Sequence, residues 1–192
     1  KAEDVGREFT QRTRSFLYAS LAATVARMLG LDTLRFYENG VTSLNLPLAP
    51  QVVGGRATRT THPQSLKGFS RLVSLLLDRC FTVESPFLWL TKGEVIRVIK
   101  DGGCADLIKR TMSCSRTVEA TKLHTHCGRC SQCIDRRFAT LAAGLSDEED
   151  PDEMYKVQLM TDERVVGETR TMAESFLRRA LALRTMSSLI SS

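Results

Sequence analysis

Aromatic residues are scarce in this chain, 6% of 192 residues with one Trp and three Tyr. That argues against a protein that coats single-stranded nucleic acid by base stacking. Long apolar runs are lacking too. Stretches such as Leu75–Leu77 fall far short of the ~18 residues that span a bilayer, and no cleavable signal segment is visible. A soluble, cytoplasmic protein with no membrane partner is expected. Six cysteines are too few for a secreted disulfide scaffold of this length, which is ample for a hydrophobic core without staples. Charge is nearly balanced: 27 Lys and Arg against 22 Asp and Glu leave +5, enough to favour phosphate-bearing ligands but short of a nucleic-acid-coating surface. The chain starts at Lys1 rather than Met, and a helical pattern begins almost at once, so a portion of a longer protein is expected.

One absence is local. No carboxylate occurs between Glu38 and Asp78, whereas Arg56, Arg59, Lys67, Arg71 and His62 do. Within this stretch Gly54-Gly55-Arg56-Ala57-Thr58-Arg59-Thr60-Thr61-His62-Pro63 runs into a predicted helix, and free backbone N–H groups with guanidinium forks there make an anion site. A solvated basic loop is the plain alternative. The segment 38–62 carries no convincing period, and a long loop after a strand is where open α/β sheets bind ligands.

Periodicity supplies the elements. Phe16, Leu17, Leu21, Val25, Met28 and Leu29 predict a helix from about Thr10 to Leu29 with those residues as its core face, stopped by Gly30. Thr33–Tyr37 reads as a strand, Pro63–Arg79 as a helix and Phe81–Glu84 as a short strand. Thr91 with Glu94 three residues on predicts a capping box for a helix over Lys92–Lys100. Lys92, at that helix start, is a candidate phosphate ligand. Short helices follow at Cys104–Lys109 and Ile134–Ala143, and the last predicted helix runs from about Thr171 to Leu183 with Met172, Phe176, Leu177 and Leu181 on one face. That face either covers this chain's own core or forms a dimer contact. The acidic turn Asp147–Asp152 reads as a solvated connector, with a lid as the alternative.

Cys127, Cys130 and Cys133 repeat at metal-ligand spacing, and Cys114 upstream completes a set of four. Thiolates hold Zn2+ tetrahedrally at ~2.3 Å, and a tight C-x2-C-x2-C turn plus one remote Cys closes a structural site. His124 and His126 are possible substitutes for Cys114. Arg129, Arg136 and Arg137 would offset the thiolate charge. A redox C-x2-C pair or an iron–sulfur cluster fits the context less well. Cys80 and Cys104 read as buried small hydrophobes. A closed four-thiolate site leaves no position for water, so the metal is expected to be structural.

Taken in order, Arg12-Thr13-Arg14-Ser15-Phe16-Leu17, a strand, Pro86-Phe87-Leu88-Trp89-Leu90-Thr91-Lys92-Gly93-Glu94, Cys114, Cys127-Gly128-x-Cys130-x2-Cys133 and Arg136 resemble the 7-cyano-7-deazaguanine synthase family over about residues 7–143. The resemblance implies an α/β, adenine-nucleotide α-hydrolase-like fold: a doubly wound parallel sheet, incomplete here, over residues 1–91 and a helical subdomain with a four-Cys zinc site over 92–192. It also implies an ATP-dependent carbon–nitrogen ligase, which adenylates the carboxylate of 7-carboxy-7-deazaguanine and lets ammonia displace AMP on the way to a nitrile. Zn2+ would be structural, and ATP would come with Mg2+. The sequence departs from the family in two places. The ATP loop Ser-Gly-Gly-x-Asp-Ser is missing and is expected upstream of Lys1, and the base-binding Tyr-Pro-Asp-Cys-Arg run is replaced by Glu38-Asn39-Gly40-Val41-Thr42-Ser43-Leu44-Asn45. In these respects the chain is similar to divergent members associated with anti-phage defence loci.

On this reading Arg12, Arg14, Asn39, Arg56, Arg59 and His62 face nucleotide or substrate anions, and Lys92 helps hold phosphate. No general base or nucleophile stands out, and the 192 residues alone are expected to be inactive. Expected partners are ATP, a small nucleobase-like substrate, the missing N-terminal segment, and a second copy or a defence-system protein. The alternative is a non-catalytic zinc-bearing module that binds a protein or RNA.

Overall fold

The structure is a computed structural model that describes residues 14–44, 61–116, 119–163, 167, 170–178 and 180–181. These residues form two compact units that part between Leu90 and Thr91.

In the first unit α1 (Arg14–Met28) turns through Gly30, at φ +71°, into β1 (Thr33–Arg35). Then come α2 (Gly40–Leu44), α3 (Pro63–Leu77) and β2 (Thr82–Glu84). β1 and β2 are parallel, with Leu34 opposite Val83, so α3 lies on the crossover that a parallel pair requires. Leu34 and Val83 share one face of the sheet and pack with Ala23, Ala26, Leu66, Val73 and Phe81. Thr33, Arg35 and Thr82 alternate onto the other, exposed face, where Arg35 Nε reaches Glu84 at 2.8 Å. The described sheet is thus helix-covered on one side.

α1 corrects the expected core face. Phe16, Leu17, Leu21, Val25, Met28 and Leu29 are all exposed, and the buried stripe is Ser15, Ala19, Ala23 and Ala26. Small side chains let this helix lie close to β1 and α3, and of the large ones Phe16 reaches the Phe69 ring of α3, with centroids 6.0 Å apart. Segment 38–62 is corrected as well, because α2 interrupts it. Its residues 45–60, including the glycine-rich run, Arg56 and Arg59, lie outside the described residues, as does Arg12. Cys80 and Cys104 are exposed rather than buried. Cys80 follows the left-handed Asp78 (φ 49°) that ends α3, and Cys104 precedes a 3₁₀ turn, so each sits in a turn instead of on an apolar face.

The second unit opens with α4 (Lys92–Asp101). Its capping box is complete: Glu94 N–H donates to Thr91 Oγ1 at 3.3 Å, and Thr91 N–H donates to Glu94 Oε2 at 2.7 Å. A 3₁₀ turn at Ala105–Arg110 leads toward Cys114, and α5 (Ser131–Ala142) starts three residues before the expected Ile134. Ile96, Ile108, Ala139 and Ala143 join α4, the 3₁₀ turn and α5 in one small core. A second is built on Ile134 and Met172, where Phe176 of the helix over residues 170–178 stacks on Phe138 at 6.3 Å. That helix therefore covers the unit's own core. Among the described residues no helix is long and apolar enough to cross a membrane.

Candidate metal centre

Cys130 is the N-cap of α5 and Cys133 lies in its first turn, so the helix start holds two thiols on one side. Cys127 precedes a tight reversal at Gly128, which has φ +70°. The backbone N–H groups of Arg129 and Cys130 both point at Cys127 Sγ, at 3.4 Å each. Cys114 enters from the other strand of chain, with Arg116 N–H at 3.3 Å from its sulfur. Such N–H donors stabilise negative sulfur. The four Sγ atoms lie within 4.8 Å of one another and all four residues are buried. Cys130 and Cys133 are 3.4 Å apart and Cys127 and Cys133 3.9 Å, far beyond a disulfide bond. A tetrahedron with ~2.3 Å metal–sulfur bonds has edges of about 3.8 Å. The donor set therefore fits a thiophilic tetrahedral ion such as Zn2+.

The protonation chemistry points the same way. Donation from the Cys127 and Cys133 thiols, with burial opposing it, draws Cys130 far below the usual thiol range, and the same contacts push Cys127 and Cys133 up. A bound cation is what lets buried thiols ionise together.

The reversal is closed from behind by residues 154–157. His126 N–H donates to Met154 O at 3.0 Å and Lys156 N–H to His126 O at 2.8 Å, a one-rung parallel bridge. A Cβ on Gly128 would stand 1.8 Å from Val157 O. Gly128→Ala is therefore expected to cost about 2 kcal/mol or more, left-handed strain plus overlap with backbone that cannot yield. Gly144→Ala, at φ 65° with only the Lys100 Nζ at 3.8 Å, meets the strain alone and should cost about 1 kcal/mol. Urea denaturation of both variants checks this, and equal losses would contradict the close packing at Val157.

Neither histidine replaces Cys114. His126 is fully buried, with Nε2 accepting from Ser113 N–H at 3.3 Å and Nδ1 at 2.9 Å from Thr125 Oγ1. Burial, then the Arg136 charge, pushes it down to about 4, so it is neutral. His124 Nδ1 is 2.9 Å from Glu153 O.

The arginines expected to balance thiolates do other work. Arg136 donates from Nε to Asp150 Oδ1 at 3.0 Å and Tyr155 Oη at 3.1 Å, from Nη1 to Thr111 Oγ1 at 2.6 Å, and from Nη2 to Ile108 O at 2.8 Å. Arg137 donates to Asp150 Oδ2 at 3.0 Å and pairs with Asp152. Arg129 meets Glu119 at 2.6 Å. The expected solvated connector therefore contains a buried carboxylate, Asp150, at 1% exposure. Tyr155 packs directly on the cysteines, so this network braces the metal pocket. Only tertiary contacts reveal it. In sequence Asp150 is one acid among several.

Of the other expected ligands, Lys92 Nζ is 2.8 Å from Asp135 Oδ2 in an α4–α5 ion pair. Arg14 is exposed at the start of α1. Asn39 is buried and its Oδ1 accepts from Thr42 N–H at 3.1 Å, capping α2. His62 is the N-cap of α3, with Nδ1 accepting from Gln64 N–H at 3.2 Å. Asn39 and His62 thus spend hydrogen-bonding capacity on local backbone.

A family model described as "Queuosine biosynthesis protein QueC" matches residues 60–144, which contain all four cysteines of the cluster. The 7-cyano-7-deazaguanine synthase of Phocaeicola vulgatus is 26% identical over 125 residues, 65% of this chain and 49% of that protein. That of Clostridium botulinum (strain ATCC 19397 / Type A) is 24% identical over 125 residues, 65% of this chain and 50% of that protein. The chain spans about half the length of the curated relatives it matches. Motif resemblance, family match and the gathered thiols agree that residues 60–144 of this chain are similar to QueC.

Proposed function

We propose that the chain is the zinc-bearing part of an ATP-dependent ligase that activates the carboxylate of a 7-deazaguanine-type base. The carrying observation is that Cys114, Cys127, Cys130 and Cys133 fall inside the QueC-matching span and converge within 4.8 Å. Zn2+ held there is structural: four thiolates fill its coordination and keep water off it. Its role is to fix the start of α5 and the 154–157 segment.

The chemistry is adenylation. A substrate carboxylate oxygen attacks the α-phosphorus of Mg-ATP, pyrophosphate leaves, and ammonia then displaces AMP. Arg12, Arg14, Arg56 and Arg59 are the cations proposed to meet the phosphates and the carboxylate, where charge develops. Lys92 joins them only if it leaves Asp135. The Ser-Gly-Gly-x-Asp-Ser loop is proposed to lie upstream of Lys1 and to complete a doubly wound pyrophosphatase-loop sheet.

The test is AMP release from ATP, 7-carboxy-7-deazaguanine and ammonium. The 192-residue chain should release none above background, and the native protein with its upstream residues should release AMP only when the base is present. Base-dependent AMP release by the 192 residues alone would contradict the fragment reading. No release by the native protein would favour a non-catalytic zinc module instead.

A further inference from the structure

The small core built on Ile134 and Met172 is open on one side. Phe138, Leu159 and Ala173 pack against it and are half-buried, yet all three also line a cleft of about 600 Å3 that Met160 and Leu177 border. Met160 and Leu177 are 71% and 52% exposed. The cleft lies within the second unit, and apart from Phe138 its lining falls outside the span 60–144 that the QueC model matches. Room of this size takes several apolar side chains.

One wall is a helix. Ala173 and Leu177 belong to the helix over residues 170–178, and Leu181, 61% exposed, continues the row four residues on. Residues four apart share a face, so the three make a ridge about 12 Å long, with its smallest side chain at the cleft end. Ridges of this kind pack into the grooves of a neighbouring helix, whereas a docked strand needs a free main-chain edge that a helix does not present. Met160, unbranched and flexible, adapts to the shape of what enters.

The rim is acidic. Asp162, Glu163 and Glu174 line it together with Arg170. Arg170 Nε is spent on Glu174 at 2.9 Å, and Arg178 lies 3.9 Å from the same carboxylate. Asp162 accepts from Gln158 N–H at 2.9 Å, but neither it nor Glu163 has an ion-pair partner among the described residues. Two such carboxylates beside an apolar cleft complement a cation carried on an apolar surface.

These features select the occupant. A second copy would bring the same helix, whose described cations, Arg170 and Arg178, already face its own Glu174. We propose that the cleft docks the apolar face of a cationic amphipathic helix from another protein. Its apolar anchors, one turn apart, fill the space between Phe138, Met160 and Leu177, and a Lys or Arg beside them meets Asp162 and Glu163. This docking does not depend on ligase chemistry.

Fluorescence anisotropy tests it with a labelled model helix of about four turns, Leu at spacings of three and four and Lys elsewhere. Replacing the Leu residues of that peptide by Ser, or its Lys residues by Glu, should weaken binding to the zinc-loaded full chain by about tenfold or more. Leu177→Asp should weaken binding of the Lys peptide by about tenfold and Glu163→Lys by about fivefold, and Glu163→Lys should bind the Glu peptide better than the parent chain does. Both substitutions fall at exposed positions, so zinc content and melting temperature should stay at the parent values. If either variant loses zinc or melts early, the two altered peptides on the unmodified chain still decide. Binding that is indifferent to the charge of the peptide, or that survives Leu177→Asp, would overturn the proposal. So would self-association of the chain that Leu177→Asp abolishes, which assigns the cleft to a second copy. Peptide binding that arises only once residues 182–192 are removed would overturn it too, by assigning the cleft to this chain's own C-terminal residues.

Discussion

Chelation at neutral pH is expected to release about one Zn2+ per chain and to abolish the cooperative unfolding of the second unit. Four buried thiols stand within 4.8 Å, and their backbone N–H donors are aimed at sulfur, so the pocket is arranged for negative charge that only a cation can balance. The apolar cores around it are small, resting on Ile96, Ile108, Ala139, Ala143, Ile134 and Met172. Apparent binding energies of structural Zn2+ are about 10–16 kcal/mol near pH 7, as large as the stability of a typical domain. Cys133→Ser, at the fully buried ligand, should reproduce the effect of the chelator. Cys104→Ser should leave both metal content and melting unchanged, because that thiol is exposed and outside the cluster. Elemental analysis and a thermal melt followed by circular dichroism read the two effects together. A metal-free chain that melts as the untreated one does would remove the metal from the folding of this unit.

Local chemistry was legible in the sequence, and tertiary compensation was not. Thr91 and Glu94 form their capping box because its partners are three residues apart and need no distant contact. The cysteine spacing likewise carries its own geometry, since three of the four sulfurs belong to one turn and one helix start. α1 misled because its large apolar residues do recur at helical spacing, yet close packing against β1 and α3 selects Ala19, Ala23 and Ala26. Leu21 and Val25 are exposed instead. His62 illustrates the same limit, because a histidine beside a proline at a helix start reads equally as an anion ligand and as a cap. Asp150 was unreadable for the converse reason: Arg136, Thr140 and Tyr155 are spread over adjoining segments, and a charge run gives no sign of which acid turns inward.

Asp150→Ala should cost about 3–5 kcal/mol, the range for removing one partner of a buried ion pair. Asp150 and Arg136 are 1% and 3% exposed in their side chains, so the substitution strands the Arg136 guanidinium, which water barely reaches, and leaves Arg137 to Asp152 and Asp147. The Tyr155 hydroxyl, at 3.0 Å, would lose its acceptor as well, and Thr140 Oγ1, at 2.8 Å from Asp150, would be left with Arg137 O. Arg136→Leu in the Asp150→Ala background should cost less than the sum of the single changes, because the second removes a charge already unpaired. The carboxylate also links this network to pH. Burial opposes its ionisation, but the Arg136 charge and the bonds from Thr140, Arg137 and Tyr155 prevail and hold it below the usual carboxylate range. A depressed folded value means that the contribution is complete above the unfolded value, about 3.9, and fades as pH falls through the folded one. The stability difference between the native chain and Asp150→Asn should therefore be constant near neutrality and shrink below about pH 4. Urea denaturation at several pH values with zinc saturating measures it. A loss under about 1 kcal/mol at pH 7 would mean that the buried arginines find other acceptors, and that the bracing of Tyr155 against the cysteines does not depend on Asp150.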